Sequence, residues 1–140
     1  MILQAPGQQR YTILVAEGDP RAREALRTTL GDDGHVVIVA STGGQALDMA
    51  PGSDADLVLL DLGGSETDGL ATLRALRTLG QSAPVILLAA GATLQGAREA
   101  MGLGAYDFIA KPVEMGFVMS VIQEALERTP RAARVAVCAP

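Results

Sequence analysis

Three charged residues stand directly after strongly apolar runs of the chain. Glu17 follows ILVA, Asp61 ends LVLLD, and Lys111 follows FIA. A carboxylate at the end of a buried strand costs free energy unless a partner or a ligand compensates it. In open α/β sheets, ligands and chemistry collect at the carboxyl edge of the strands. We therefore expect the two carboxylates and the lysine to meet at one edge, with Asp61 as the functional residue.

Five apolar, strand-like runs alternate with five segments of helical periodicity. The predicted strands are Tyr11–Ala16, His35–Ala40, Asp56–Asp61, Pro84–Ala89 and Tyr106–Ala110. The predicted helices are Arg21–Leu30, Gly43–Ala50, Asp68–Leu79, Thr93–Leu103 and Glu114–Arg128. Short connections between alternating strands and helices are typical of a parallel sheet with helices on both faces. We predict an α/β fold with one doubly wound five-stranded parallel sheet of order 2-1-3-4-5, as in the flavodoxin-like class.

The composition is that of a single domain without a basic surface. The chain has 140 residues, of which 49% are hydrophobic and only 3% aromatic, so we expect an aliphatic core. A formal net charge of -5 argues against direct nucleic-acid binding. Cys138 is the only cysteine, which excludes an internal disulfide. No apolar run is long enough to span a membrane and the N-terminus lacks a signal-peptide core, so we expect a cytoplasmic domain without membrane contact.

Periodicity divides the chain into three parts. Residues 1–10 are predicted to be an N-terminal extension, residues 11–128 the folded domain, and residues 129–140 a tail or linker. Asp19 and Asp68 are suited to cap the first and third helices, because a carboxylate accepts hydrogen bonds from the free amides of the first turn. The third helix is predicted to turn its leucines inward, namely Leu70, Leu73, Leu76 and Leu79.

Four stretches together resemble the receiver domain of two-component response regulators. They are ILVAEGDP, LVLLDLGGSETDG, PVILLAAG and GAYDFIAKP, spread over roughly residues 11–128. The resemblance implies a CheY-like fold in which Asp61 accepts a phosphoryl group from a histidine kinase and Lys111 contacts that group. It also implies a magnesium ion held by Glu17, Asp61 and the backbone carbonyl of Gly63.

The chain departs from the family pattern in the magnesium site and in the activation switch. Gly18 replaces the second acid after strand one, Glu17 is longer than the usual aspartate, and Asp19 is expected to cap a helix. Because magnesium requires several oxygen ligands, we expect it to bind weakly or not at all. At the two switch positions, Ala89 has no hydroxyl and Phe108 has no phenolic group. We expect Phe108 to stay inward and to fill the space beside Ala89.

These departures favour an atypical receiver in phosphorelay signal transduction that works through protein–protein contacts without phosphorylation. One alternative is a conventional receiver in which Asp61 is phosphorylated slowly with the help of Lys111. Another is a flavodoxin-like small-molecule-binding domain, although EGDPRAR offers no hydroxyl for a phosphate loop. We do not expect an enzyme, because no second catalytic group accompanies Asp61 beyond Glu17 and Lys111.

The last helix suggests where a partner could bind. Its predicted core stripe comprises Met115, Val118, Met119, Ile122 and Leu126. Phe117 and Val121 fall on roughly the opposite side, either as an exposed docking patch or as the edge of a broader buried stripe. The expected partners are a histidine kinase or other signalling protein, and an output domain or a second copy bound through helix four, strand five and helix five.

Overall fold

The computed structural model describes residues 9–61 and 66–129. Its strands are β1 (Thr12–Glu17), β2 (Val36–Ala40), β3 (Leu57–Asp61), β4 (Val85–Ala89) and β5 (Asp107–Ala110). Its helices are α1 (Pro20–Asp32), α2 (Gly43–Ser53), α3 (Glu66–Thr78), α4 (Leu94–Gly102) and α5 (Met115–Arg128). Strands and helices alternate along the chain as predicted, and most boundaries lie within one or two residues of the expected ones.

All five strands form one parallel sheet of order β2-β1-β3-β4-β5, which confirms the predicted fold class and strand order. Every residue of β3 and β4 is buried, as the continuous apolar runs LVLLD and VILLA predict for strands covered on both faces. The register places Glu17 directly opposite Asp61 on neighbouring strands. The carboxyl ends of β1 and β3 therefore present both acids side by side.

Two aliphatic layers cover the sheet, one on each face. Leu14, Val58 and Leu87 point toward α2, α3 and α4, where they pack with residues such as Leu73 and Ala100. The alternate strand residues point to the other face and pack against α1 and α5, in a cluster that includes Ile13, Leu59, Ile86, Leu26 and Ile122. Each fully buried leucine or isoleucine contributes roughly 2 kcal/mol of hydrophobic free energy. This packing makes the sheet edge a rigid frame for its polar residues.

Close approach of α3 to the sheet depends on a glycine. A Cβ atom added to Gly69 would lie 2.5 Å from Cδ1 of Leu87, well inside van der Waals contact. The missing side chain thus lets the first turns of α3 sit against β4, directly beyond the segment that follows Asp61.

The positions at which the helices begin and end show that two predictions, for Asp68 and for Leu79, are wrong. Asp19 caps α1 as expected, accepting a hydrogen bond from the amide of Arg21 at 3.3 Å. Asp68 does not cap α3, because that helix begins two residues earlier, at Glu66. Leu79 was predicted to face inward but is 57% exposed, since α3 ends at Thr78 and no longer directs it toward the core.

The last helix confirms part of its predicted pattern. Val118, Ile122 and Leu126 are buried and Met119 is partly buried, but Met115 is exposed because it occupies the first turn, beyond the edge of the sheet. Phe117 is 53% exposed, as predicted for the outward side. Val121 is partly buried against the core, which matches the alternative of a broader buried stripe for this residue. At 100° per residue it lies beside the buried stripe, whereas Phe117 lies further round.

Within residues 9–61 and 66–129, no helix combines the length and apolarity needed to cross a membrane.

Candidate functional site

Glu17 and Asp61 form a buried acidic pair at the carboxyl edge of the sheet. They are opposite one another in the β1–β3 register, and they are only 2% and 5% exposed. Two adjacent carboxylates in such a place repel each other unless a cation or a proton compensates them. The structure therefore brings together the two acids that the sequence placed at separate strand ends.

Lys111 supplies the compensating cation. Its Nζ donates hydrogen bonds to both carboxylate oxygens of Asp61, at 2.8 Å to Oδ1 and 3.1 Å to Oδ2. The lysine directly follows β5, its amide donates to the carbonyl of Ala89, and the Lys111–Pro112 peptide bond is cis. Burial disfavours the ammonium, but the hydrogen bonds and charge of Asp61 outweigh it and raise the pKa of Lys111 above its ordinary value.

Glu17 has one satisfied and one unsatisfied carboxylate oxygen. Oε1 accepts a hydrogen bond from the amide of Asp19 at 3.0 Å, and its own backbone carbonyl accepts one from Arg23 at 3.1 Å. Among the described residues, no donor reaches the buried Oε2. Burial and then the neighbouring carboxyl of Asp61 raise the pKa of Glu17 to about 7, although the Asp19 amide and Lys111 oppose the shift. The unpaired oxygen marks a place for a proton or another cation.

The residues described at this edge do not complete a magnesium site. No set of three or more acids, histidines or cysteines among residues 9–61 and 66–129 is arranged to hold a metal ion. Gly18 contributes no side chain, and Asp19 points away to cap α1. Gly63, the predicted source of a carbonyl ligand, lies outside the described residues. Two carboxylates, one of them fully engaged by Lys111, are a poor match for an ion that prefers about six oxygen ligands.

Gly18 leaves an open position where the family carries a carboxylate. A Cβ atom added there would meet only the backbone carbonyl of Ser41, at 3.8 Å, which is an ordinary contact. Apart from its two chain neighbours, no side chain of the described residues comes within 4 Å of this position, so they do not replace the missing acid.

The two positions expected to switch on activation face the interior. Ala89 ends β4 and is 3% exposed, and it presents only a methyl group. Phe108 lies on β5 opposite Leu87 and is partly buried against the cluster that contains Leu87 and Ala100. The predicted inward packing of Phe108 is therefore confirmed in part, and its permanence stays a prediction.

Sequence reasoning missed the role of Arg23. This α1 residue donates from Nη1 to the carbonyl of Glu17 and so links the helix to the end of β1. An arginine in the first turn of an amphipathic helix ordinarily indicates solvent exposure, and only the packing of α1 beside β1 reveals the contact. The site as a whole presents a buried aspartate paired with an ammonium, an arrangement suited to hold a negatively charged group next to Lys111.

Comparison with known proteins agrees with the geometry. The family model for the response regulator receiver domain matches residues 13–123. The transcriptional regulatory protein ZraR of Escherichia coli (strain K12) is 33% identical over 117 residues, which are 84% of this chain and 26% of ZraR. The transcriptional regulatory protein KdpE of Mycobacterium tuberculosis is 36% identical over 123 residues, which are 88% of this chain and 54% of KdpE.

Solved structures show the same relationship. The crystal structure of FixJ-N matches with a TM-score of 0.72 at 29% sequence identity, covering 85% of this chain and 95% of FixJ-N. The present chain spans only about a quarter to a half of the curated relatives described above, so it corresponds to one domain of those proteins. Five parallel strands in receiver order, an aspartate at the end of β3 and a lysine after β5 lead to the same conclusion: the chain belongs to the response regulator receiver domains of two-component signalling.

Proposed function

We propose that this receiver domain is an atypical one that signals through protein–protein contacts and does not require phosphorylation of Asp61. The observation that supports the proposal is the acidic pocket, in which Gly18 removes one carboxylate and leaves its place open. The two carboxylates that remain as possible metal ligands are those of Glu17 and Asp61. Lys111 is hydrogen-bonded to Asp61, and its positive charge also acts on Glu17. We propose in addition that the domain binds magnesium weakly or not at all.

The electrostatics of the pocket favour this reading. Glu17 and Asp61 together with the Lys111 ammonium leave at most one net negative charge, and the raised pKa of Glu17 reduces it further near neutral pH. A divalent cation is attracted less strongly to such a pocket than to one with an additional carboxylate. Phosphoryl transfer to a carboxylate depends on a metal ion to neutralise the charge that develops on the transferring group. A weak metal site therefore slows that transfer.

The rest of the site gives phosphorylation little support. Ala89 has no hydroxyl to donate to a phosphoryl oxygen, and the partly buried Phe108 already occupies the interior beside the α4 packing layer. Among the described residues at this edge, we find no second catalytic group that would support an enzymatic turnover. We therefore propose a binding module and not an enzyme.

Incubation with a small phosphodonor and magnesium tests the proposal directly. We expect no mass increase on the wild-type chain, because Asp61 pairs with Lys111 and lacks a complete metal site. Intact-mass spectrometry is the measurement, and Asp61→Asn is the matched control that cannot form an acyl phosphate. A mass increase on the wild type that disappears in Asp61→Asn would instead support the conventional, slowly phosphorylated receiver.

The exposed apolar residues of α4 and α5 are the proposed contact surface. We define the α4–α5 face as the surface formed by α4, β5 and α5, and its large exposed hydrophobic residues are Leu94, Met101, Met115 and Phe117. Receiver domains act with histidine kinases and output domains, and exposed large apolar side chains on neighbouring elements are typical of interaction sites. We propose that this face binds a second copy of the domain, an output domain or another signalling protein, with Phe117 as the central contact.

Phe117→Ser tests the homodimer form of this proposal. We expect it to weaken self-association by at least about tenfold, because the loss of a large apolar contact at an interface removes about 1.4 kcal/mol or more. Sedimentation-velocity ultracentrifugation over a concentration series measures the association constant. Leu79→Ser is the matched control, since Leu79 is equally exposed but lies beyond α3. A wild type that stays monomeric throughout, or an equal loss in both variants, would refute dimerisation through this face.

A further inference from the structure

One arginine of α3 bridges two loops of the domain. The guanidinium of Arg77 donates to the carbonyls of Gln81 and Ala83, at 2.7 and 3.0 Å, in the connection between α3 and β4. It also donates to the carbonyls of Leu103 and Gly104, at 3.2 and 2.8 Å, directly after α4. A single side chain therefore ties the end of α3 to the end of α4.

The contact is a structural clamp and not an incidental surface bond. Arg77 is partly buried, and burial lowers the pKa of its guanidinium from the ordinary value. Four backbone carbonyls compensate that cost through the rigid fork of the guanidinium, which a lysine ammonium cannot reproduce. The backbone at Gly104 has a φ of 82°, so the chain turns sharply at the clamp and leads straight into β5.

A second arginine of α3 reinforces the attachment. Arg74 forms an ion pair with Glu99, which lies in the second half of α4. Both partners are partly exposed, so this pair by itself stabilises little. It nevertheless acts on the same helix face as Arg77, and together the two contacts hold the C-terminal half of α4 against α3.

The two ends of α4 therefore stand in different surroundings. The C-terminal end is clamped by Arg77, whereas the N-terminal end follows Ala89 and Gly91, beside the acidic pocket at the sheet edge. A rearrangement that begins at Asp61 would reach α4 through its N-terminal end. Met101, which belongs to the α4–α5 face, lies next to the clamped C-terminal end, whereas Leu94 lies at the opposite end of α4.

We infer that Arg77 is the fixed anchor of the C-terminal end of α4 and holds that end, with Met101 of the α4–α5 face, in one arrangement that does not depend on the state of Asp61. The inference rests on the proposed function, in which this face makes contacts without phosphorylation. It adds the device that keeps this end of α4 in place, namely an arginine clamp on the side of the domain away from the acidic pocket.

Hydrogen–deuterium exchange of the full chain, followed by mass spectrometry, tests the clamp. We expect Arg77→Gln to increase the exchange rate in residues 99–106 by about tenfold, while the rates in β3 and β4 change much less. Loss of the Arg77 hydrogen bonds lowers the free energy of local opening around residues 99–106 more than that of global unfolding. Arg77→Lys should show the same local pattern, since its ammonium cannot reach all four carbonyls. Arg98→Gln, an exposed arginine on α4, is the matched control and should leave exchange unchanged.

The outcomes separate the clamp from the proposed function. Unchanged exchange in residues 99–106 of both Arg77 variants, or an equal increase throughout the domain, would overturn the clamp. Asp61→Asn should leave exchange in residues 99–106 unchanged, and an increase there would overturn the independence of the clamp from Asp61. Phosphorylation of Asp61 by a small phosphodonor without any change in the exchange of residues 99–106 would refute the proposed lack of phosphoryl transfer but leave the clamp standing.

Discussion

Gly18→Asp should create a magnesium site, with an affinity at least about tenfold above that of the wild type, which corresponds to roughly 1.4 kcal/mol. The substitution adds a carboxylate directly after Glu17, whose buried Oε2 has no donor among the described residues and which lies opposite Asp61 in the register. The position accepts a side chain, because a Cβ there meets only the Ser41 carbonyl at 3.8 Å. An additional negative charge near a buried acidic pair strengthens the attraction of a divalent cation by several kcal/mol before repulsion among the acids is subtracted.

Isothermal titration calorimetry with magnesium chloride measures the affinity, and the thermal midpoint gives a second readout. Without magnesium, Gly18→Asp should be less stable than the wild type, because a third carboxylate adds repulsion at the sheet edge. Magnesium should restore that stability in the variant and change the wild type little. Gly18→Asn is the matched control, with the same size and no charge. Equal magnesium affinity in the Asp and Asn variants would show that the missing carboxylate does not limit metal binding.

The second large effect concerns pH. Burial and the neighbouring Asp61 carboxyl raise the pKa of Glu17 from 4.5 to about 7 in the folded protein. Between these values the folded protein holds a proton that the unfolded chain has released, so stability falls as pH rises. The proton on Glu17 thus contributes about 3 kcal/mol to the free energy of unfolding. This contribution is fully present below pH 4.5 and is lost as the pH rises through about 7.

Glu17→Gln should remove this slope, because the amide does not titrate and mimics the protonated acid in size and donor capacity. Urea unfolding at several pH values between 4.5 and 8 measures the free energy, and the difference between wild type and variant isolates Glu17 from the other groups. Glu24→Gln is the matched control, since Glu24 is exposed on α1 and pairs with Arg27. A Glu17→Gln variant with the same pH slope as the wild type would show that Glu17 does not hold the proton.

Both predictions concern the acidic pair of Glu17 and Asp61, so the result of one limits what can be expected of the other. In Gly18→Asp with bound magnesium, the cation takes the place of the proton beside Glu17, so the pH slope of stability should diminish. The wild type should keep its pH slope whether or not magnesium is present, if it binds the ion as weakly as proposed. A combined series of pH and magnesium therefore distinguishes a pocket that is stabilised by a proton from one that is stabilised by a metal ion.

Much of the fold was predictable from local patterns. Runs such as Leu57–Leu60 and Val85–Leu88 are apolar at every position, and a short run of this kind favours a strand covered on both faces. Helical periodicity and short connections then require parallel strands, and parallel strands present their carboxyl ends at one edge. The common location of Glu17, Asp61 and Lys111 follows from these facts alone.

Other features depended on where elements end and how they pack. Leu79 and Met115 were expected inside, but each lies at a helix end where the periodic pattern no longer meets the core. Local pattern left Val121 either on an exposed patch or at the edge of a broader buried stripe, and packing on the sheet beneath α5 makes it part of the buried stripe. Asp68 has the side chain of a helix cap, but it lies inside α3, because the helix begins at Glu66.

The sequence by itself determined the element order, the strand order and the edge at which the charged residues meet, because these follow from periodicity, connection length and handedness. Only the tertiary structure decided that Glu17 stands directly opposite Asp61, with an Oε2 that no donor among the described residues reaches, and that Arg77 reaches carbonyls 26 and 27 residues further along the chain. Register and long-range hydrogen bonds depend on the packing of distant segments, so no local pattern encodes them.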